Sequence, residues 1–321
     1  MRLRFWGTRG SLPVALTWRD MRERLARALL AANGRELDTI EKAVAFVEGE
    51  LDPSLSQTFS GHSSCVEFEP PAAAAGEYFV CDMGSGARAF GEHVIARQAG
   101  APATIHIFMS HTHWDHIMGF PFFGPAYRRG WRIRIYGCHD TLEQAFRLQQ
   151  EPPCFPVPFG ALAAAIEFIH LKPGVTQRVA NIEVLPKRQL HSGDSYGFRI
   201  AAGGRSFVYS TDSEHKLDQR APAEAFIDFF RDADAVIFDA MYSLAEAISV
   251  KADWGHSSNV IGVELCQLAR AKRLVLFHHE PANDDRALAR ILRETRRLEE
   301  LTRGEHRLEV VAAYDGLEME L

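Results

Sequence analysis

A chain of 321 residues, 46% of them hydrophobic, can bury a sizeable core and fits one large α/β sandwich. Its net charge of −6, with both signs spread along the chain, is at odds with the basic face that stable nucleic-acid binding needs. The five cysteines (Cys65, Cys81, Cys138, Cys154 and Cys266) include no CxxC pair, which predicts reduced thiols and a cytoplasmic location; the first residues are too charged for a signal peptide, and no apolar run reaches membrane length.

Residues 2–7 alternate apolar and polar and meet a Gly turn, which predicts a strand followed by a turn over 8–13. Thr17 and Asp20 have capping-box spacing, and Leu16, Met21, Leu25, Ala28 and Leu29 then recur near helical spacing as far as Asn33 and Gly34. A second helix is predicted from about Glu36, with Leu37, Ile40, Val44 and Val47 as its apolar stripe. Strands over 66–68 and 78–81 follow. The second ends at Asp82, which is placed either to cap a helix over 87–99 or to support a site above it.

The run 104–109 is mostly apolar and β-branched and predicts a buried strand. Directly after it stand His111, His113, Asp115 and His116, an HxHxDH pattern. Imidazole and carboxylate are natural zinc ligands and also suit iron or manganese. His111 and His113, two apart, point the same way in extended chain. Asp115 and His116 follow the turn and aim at a second point, so the two pairs suggest two metal ions.

The aromatic segment 119–127 is expected to be mainly core, 132–136 a strand and 140–149 a helix that Cys138, His139 and Asp140 lead into. The proline-rich 151–158 predicts an ordered loop. Further donors close apolar runs: His191 after 182–185, Asp212 after 206–210, Asp239 at the end of 235–239 and His278 after 273–277. The carboxyl ends of strands are where α/β folds place their sites, and Asp212 is placed to bridge two metals about 3.5–4 Å apart. Between these runs, 196–201 is another strand. Ser257 and Ser258 cap a helix reaching Ala269, and a charged amphipathic helix carries Leu288, Ile291, Leu292 and Leu298.

The order HxHxDH, His191, Asp212, His278 resembles the dinuclear hydrolases of the metallo-β-lactamase superfamily, from Met1 to about Asp285. Trp254, Gly255, His256, Ser257 and Ser258, followed by Leu274 to His278, are similar to the GHST and LxLTH motifs of ribonuclease Z and related phosphodiesterases. Phe238, Asp239, Ala240, Met241 and Tyr242 stand where ribonuclease Z has HEATF. The resemblance implies an αββα sandwich of two mixed β-sheets flanked by helices, one hydrolase domain over 1–321. A helical insertion at about 15–58 departs from the family pattern; a surface or dimer role is expected of it before that of a lid.

The resemblance further implies two divalent ions, zinc foremost, with manganese or iron as the other metals that suit the donors. His111, His113 and His191 would hold one, Asp115, His116 and His278 the other, and Asp212 would bridge. The implied activity is that of a phosphodiesterase acting on a small nucleotide-like or cyclic phosphodiester through a metal-bridging hydroxide. His256 is expected to protonate or stabilise the leaving oxygen and Asp239 to orient His256; Asp115 is counted with them as catalytic. Asp82 resembles the family's buried carboxylate beneath the metal loop. His62 replaces the family's Asn, and with His215 and Trp254 it is a minor candidate for lining the pocket; His279 is expected to be structural.

Ribonuclease Z enzymes usually insert a tRNA-gripping arm between the positions matching His191 and Asp212, and the twenty residues here leave no room for one. RNA processing is therefore the second expectation, and hydrolysis of a lactone or thioester the third. Neither a membrane nor a stable nucleic-acid partner is expected, and a homodimer is left open.

Overall fold

The computed structural model describes residues 1–59, 61–215, 220–243 and 254–321. Two seven-stranded sheets lie face to face. The first holds β1 (Arg2–Gly7), β2 (Cys65–Glu69), β3 (Glu77–Cys81), β4 (Thr104–Phe108), β5 (Arg132–Gly137), β6 (Ala165–His170) and the carboxyl-terminal β14 (Glu318–Glu320), in the order β14-β1-β2-β3-β4-β5-β6. The second holds β7 (Gln177–Val179), β8 (Ile182–Gln189), β9 (Ser195–Ala202), β10 (Arg205–Ser210), β11 (Ala235–Asp239), β12 (Arg273–Phe277) and β13 (Glu309–Ala312), in the order β13-β12-β11-β10-β9-β8-β7. Each sheet is antiparallel on one side and parallel on the other: β3 to β6 are mutually parallel, as are β10 to β13.

Between the sheets Phe5, Phe68, Phe79, Phe108, Phe198, Phe207, Tyr209 and Phe277 form one core. Helices cover both outer faces. Helix α4 (Ala87–Gln98) and α6 (Leu142–Leu148), separated in the chain by the single turn α5 (Trp114–Ile117), bury Phe90, Val94 and Phe146 against the first sheet. Helix α7 (Arg220–Phe230), α8 (Asn259–Leu268) and α9 (Asp285–Thr302) bury Phe229, Phe230, Ile261, Val263 and Leu288 against the second. Strands covered on both faces must be apolar throughout, which is why β11 reads Ala-Val-Ile-Phe-Asp with every residue buried. The expected αββα sandwich is the observed one.

Some elements differ from expectation. Strands β6, β7, β13 and β14 were not anticipated. β6 sits at a sheet edge, where its half-buried Ile166, Phe168 and Ile169 are broken by Glu167 and run on directly from the Ala/Leu-rich 161–164. β8 extends to Gln189, past the apolar stretch, because its ladder with β9 continues to Gln189 opposite Ser195. The amino-terminal insertion forms α1 (Trp18–Ala31), α2 (Ile40–Gly49) and the short α3 (Pro53–Ser56). Thr17 and Asp20 close the capping box as predicted, but the second helix starts only at Ile40, where Thr39 supplies the cap. No helix among the described residues is long and apolar enough to cross a membrane, and all five cysteines are unpaired.

One buried histidine belongs to the core alone. His106 stacks on Phe79 with ring centroids 4.7 Å apart and shares a 3.0 Å hydrogen bond with the Tyr136 hydroxyl. Burial, and then the nearby Arg134, lower its pKa to about 4. An unfolded chain takes up this proton as pH falls below the ordinary histidine value, whereas the fold resists it until about pH 4. His106 therefore stabilises the fold fully above the unfolded value, and that stabilisation is lost as pH falls from there towards the folded value. In metal-free protein, urea unfolding of His106→Gln and of the unsubstituted chain should differ in pH dependence by roughly 2 kcal/mol between neutral pH and pH 4.5, with the substituted chain less acid-sensitive.

Candidate metal centre

The carboxyl ends of the parallel strands of both sheets meet at one edge. There the chain must turn side chains back over the sheet, and three positions do so in left-handed backbone: Asp82 (φ 59°), Asp212 (φ 32°) and His278 (φ 58°), each at or just beyond a strand end. Such conformations cost energy in residues other than glycine and cluster at functional sites.

Asp212 lies at the middle. Its Oδ2 faces His111 Nε2 at 3.6 Å and His191 Nε2 at 3.7 Å, and His191 Nε2 is 3.0 Å from His113 Nδ1. Its Oδ1 faces His116 Nε2 at 3.1 Å and His278 Nε2 at 3.2 Å. Asp115 Oδ2 stands 3.2 Å from those same two nitrogens. The donors thus divide into His111, His113 and His191 on one side and Asp115, His116 and His278 on the other, with one oxygen of Asp212 turned to each. These are the seven residues singled out from the sequence, and the fold brings all of them together.

Supporting groups fix which nitrogen each imidazole presents. Asp82, fully buried, accepts from Ser110 N, Ser110 Oγ, Tyr209 Oη and His116 Nδ1 at 2.7–2.8 Å. Holding His116 by Nδ1 leaves Nε2 to face the centre, the arrangement by which carboxylates orient metal-binding imidazoles. Asp82 does not cap α4, whose amino end carries no side-chain cap. His191 donates from Nδ1 to the Gly255 carbonyl at 2.8 Å, and Asp115 accepts from the Ser11 backbone N–H at 2.8 Å. Two glycines permit this closeness. A Cβ on Gly10 would lie 2.5 Å from the His278 ring, and one on Gly255 would lie 2.4 Å from His191 Nδ1.

The donor set fits cations. His111 Nε2 and His116 Nε2 are buried without a hydrogen-bond partner and point into the cluster. Burial keeps His111 neutral, with a pKa well below the usual imidazole range. Burial pushes Asp115 and Asp212 the other way, but the surrounding imidazoles outweigh it and hold both carboxylates ionised. Buried carboxylates in such numbers need positive charge beside them. His113 is exposed, so the cluster opens to solvent on its side.

His256 and Asp239 border the cluster beside His191 and His278. His256 Nδ1 is 2.8 Å from Asp239 Oδ2, and the His256 ring stacks against His278 with centroids 5.0 Å apart. Burial pushes the His256 imidazole down, but the Asp239 carboxylate, by charge and hydrogen bond, lifts it to about 9. Asp239 is itself held by the backbone N–H groups of Ser213 and Met241.

Other candidates fall elsewhere. His215 is buried between Phe226 and Phe238 rather than lining the cleft, and its pKa is lowered to about 4 by burial. His62 hydrogen-bonds Ser85 Oγ at 3.1 Å and is not among the clustered donors. His279 bonds the Ala313 carbonyl, a structural place as expected. His139 bonds the Asp194 carbonyl and is no ligand. Phe120 and Phe123 are core, but Phe122 is exposed. Trp114, Leu190 and Trp254, each next to or near a site residue in the chain, are also exposed. Tyr209 and the Ser11 and Gly255 backbone groups were not legible beforehand: Tyr209 reads as one more apolar strand residue, and backbone donors and acceptors have no residue signature.

Residues 79–279 match the family model described as a beta-lactamase superfamily domain. The ribonuclease Z of Geobacillus kaustophilus is 25% identical over 257 residues, covering 64% of this chain and 80% of that protein. Among solved structures, the metallo-β-lactamase fold protein YhfI from Bacillus subtilis superposes with a TM-score of 0.60 at 17% identity, covering all of this chain and 98% of that one. A diphosphatase from the PhnP family superposes at 0.59 with 18% identity over all of this chain and 97% of that one. With the matching fold and the clustered imidazoles and carboxylates, this places the chain in the β-lactamase superfamily, as a metal-binding hydrolase of that fold.

Proposed function

We propose that the chain is a dinuclear phosphodiesterase acting on a small nucleotide-like or cyclic phosphodiester. The observation that carries this reading is the His256–Asp239 pair at 2.8 Å, set against His191 and His278 of a donor cluster that divides about one carboxylate. His111, His113 and His191 would hold one divalent ion, and Asp115, His116 and His278 the second, with Asp212 between them; zinc suits these donors best. Bound there, such ions neutralise a phosphate and supply a water of lowered pKa for in-line attack.

The rest falls to the protein. Asp82 holds the His116 tautomer, and the Ser11 backbone N–H fixes the Asp115 carboxylate. His256 carries its proton at neutral pH and, with Nδ1 held by Asp239, presents Nε2 to the leaving oxygen. An alkoxide leaving group needs that proton; a simple hydrolysis of an activated ester does not. Ribonuclease Z and diphosphatase, the names borne by two similar proteins, both denote cleavage of a phosphate linkage.

The similarity to ribonuclease Z favours RNA processing as a second reading. Against it stand the net charge of −6 and the interval from His191 to Asp212, which holds only β9, β10 and their turn at Gly203 and Gly204. Turnover of cyclic mononucleotides, cyclic dinucleotides and a tRNA precursor by the metal-loaded protein separates the two: a small diester should be the better substrate, and preference for the tRNA precursor would reverse the order.

His256→Ala should lower kcat/KM on an alkyl phosphodiester about 100-fold or more, with far less effect on bis(p-nitrophenyl) phosphate, whose leaving group departs unaided. Asp239→Asn should move the same way by a smaller factor. Metal content, measured alongside, should not change in either. Equal losses on both substrates would assign His256 to binding or structure instead.

A further inference from the structure

Helix α1 turns its polar side to the protein and its apolar side to solvent. Arg24 pairs with Asp285 and donates to the Gln57 carbonyl, and Glu23 accepts from Arg286 at 2.8 Å. No residue of α1 is buried. Trp18, Met21, Leu25 and Leu29 line up on the opposite side, with Trp18 75% and Leu29 73% exposed. Helix α2 repeats the pattern: Phe46 is buried, while Ile40, Val44 and Val47 form an outward stripe, Ile40 72% exposed. The two helices do not pack closely on each other. Each of these seven side chains is exposed, the least of them, Val47, at 38%. Exposed apolar stripes rimmed by charged residues mark interaction surfaces.

Charge decides what covers the two stripes. At the helical turn of 3.6 residues, Arg19 and Arg22 border one edge of the α1 stripe, and Glu41 and Glu48 border the corresponding edge of the α2 stripe. None of the four has an ion-pair partner among the described residues. Antiparallel helices set face to face bring corresponding edges together. Helix α1 of one copy laid on α2 of another therefore sets Arg19 and Arg22 against Glu48 and Glu41, and a two-fold axis makes the contact twice. An anionic lipid surface would attract α1 but meet Glu36, Asp38, Glu41, Glu48 and Glu50 on and beside α2.

We propose that the α1–α2 segment is a homodimer interface in which α1 of each copy packs antiparallel on α2 of the other. No residue of this segment belongs to the donor cluster, so this stands apart from the functional reading.

Sedimentation velocity of the full, metal-loaded chain at micromolar concentration should give a species of twice 36.0 kDa. Leu25→Glu combined with Leu29→Glu should give a monomer with unchanged circular dichroism and metal content. Arg22→Glu should weaken the dimer several-fold, and Glu41→Arg in the same chain should restore it. A monomer at every concentration, a dimer indifferent to both glutamates, or a charge swap without restoration would overturn the proposal. So would a monomer that floats with phosphatidylserine vesicles, which would assign the face to lipid.

Discussion

Three carboxylates, Asp82, Asp115 and Asp212, are buried within reach of one imidazole, His116. Desolvated carboxylates repel one another and lose the water that stabilises them, so such a cluster survives only where positive charge or hydrogen-bond donors converge on it. The rest of the cleft meets that demand. Imidazoles face Asp212 from both sides, Ser110 and Tyr209 donate to Asp82, and backbone N–H groups of Ser11, Ser213 and Met241 hold Asp115 and Asp239. The two sheets have to be registered so that β3 and β4 of one end opposite β10, β11 and β12 of the other, since each contributes one of these groups.

This demand also explains the local backbone. Asp82, Asp212 and His278 take left-handed conformations at strand ends, which aims their side chains across the sheet edge instead of along the strand. Gly10 and Gly255 let the chain press against His278 and His191. Strain and close approach are tolerated at this edge because the sandwich beneath is closely packed; the inter-sheet core of phenylalanines gives it no freedom to relax.

Much of this was legible in the sequence. The HxHxDH cluster, and His191, Asp212, Asp239 and His278 at the ends of apolar runs, carry a pattern that rarely arises otherwise, and all of them converge. Parallel strands buried on both faces announced themselves by composition. The edge strands β6 and β14 did not, because one is half exposed and the other is three residues long. Periodicity disclosed the apolar stripes of α1 and α2 but not their direction, since spacing states that a helix has an apolar side and leaves open whether the chain's own core receives it. His215 illustrates the converse: a histidine near a ligand in sequence is packed among phenylalanines because the strand end turns it away from the cleft.

The dinuclear reading turns on whether Asp212 is shared between two ions. Elemental analysis of the purified chain, reconstituted with zinc and freed of excess, tests it most directly when set beside the same measurement on Asp212→Ala. Two equivalents per chain are expected, falling by at least one in the substituted protein while it remains folded by circular dichroism. Two full equivalents retained by Asp212→Ala, or an unsubstituted chain that never binds more than one, would contradict it.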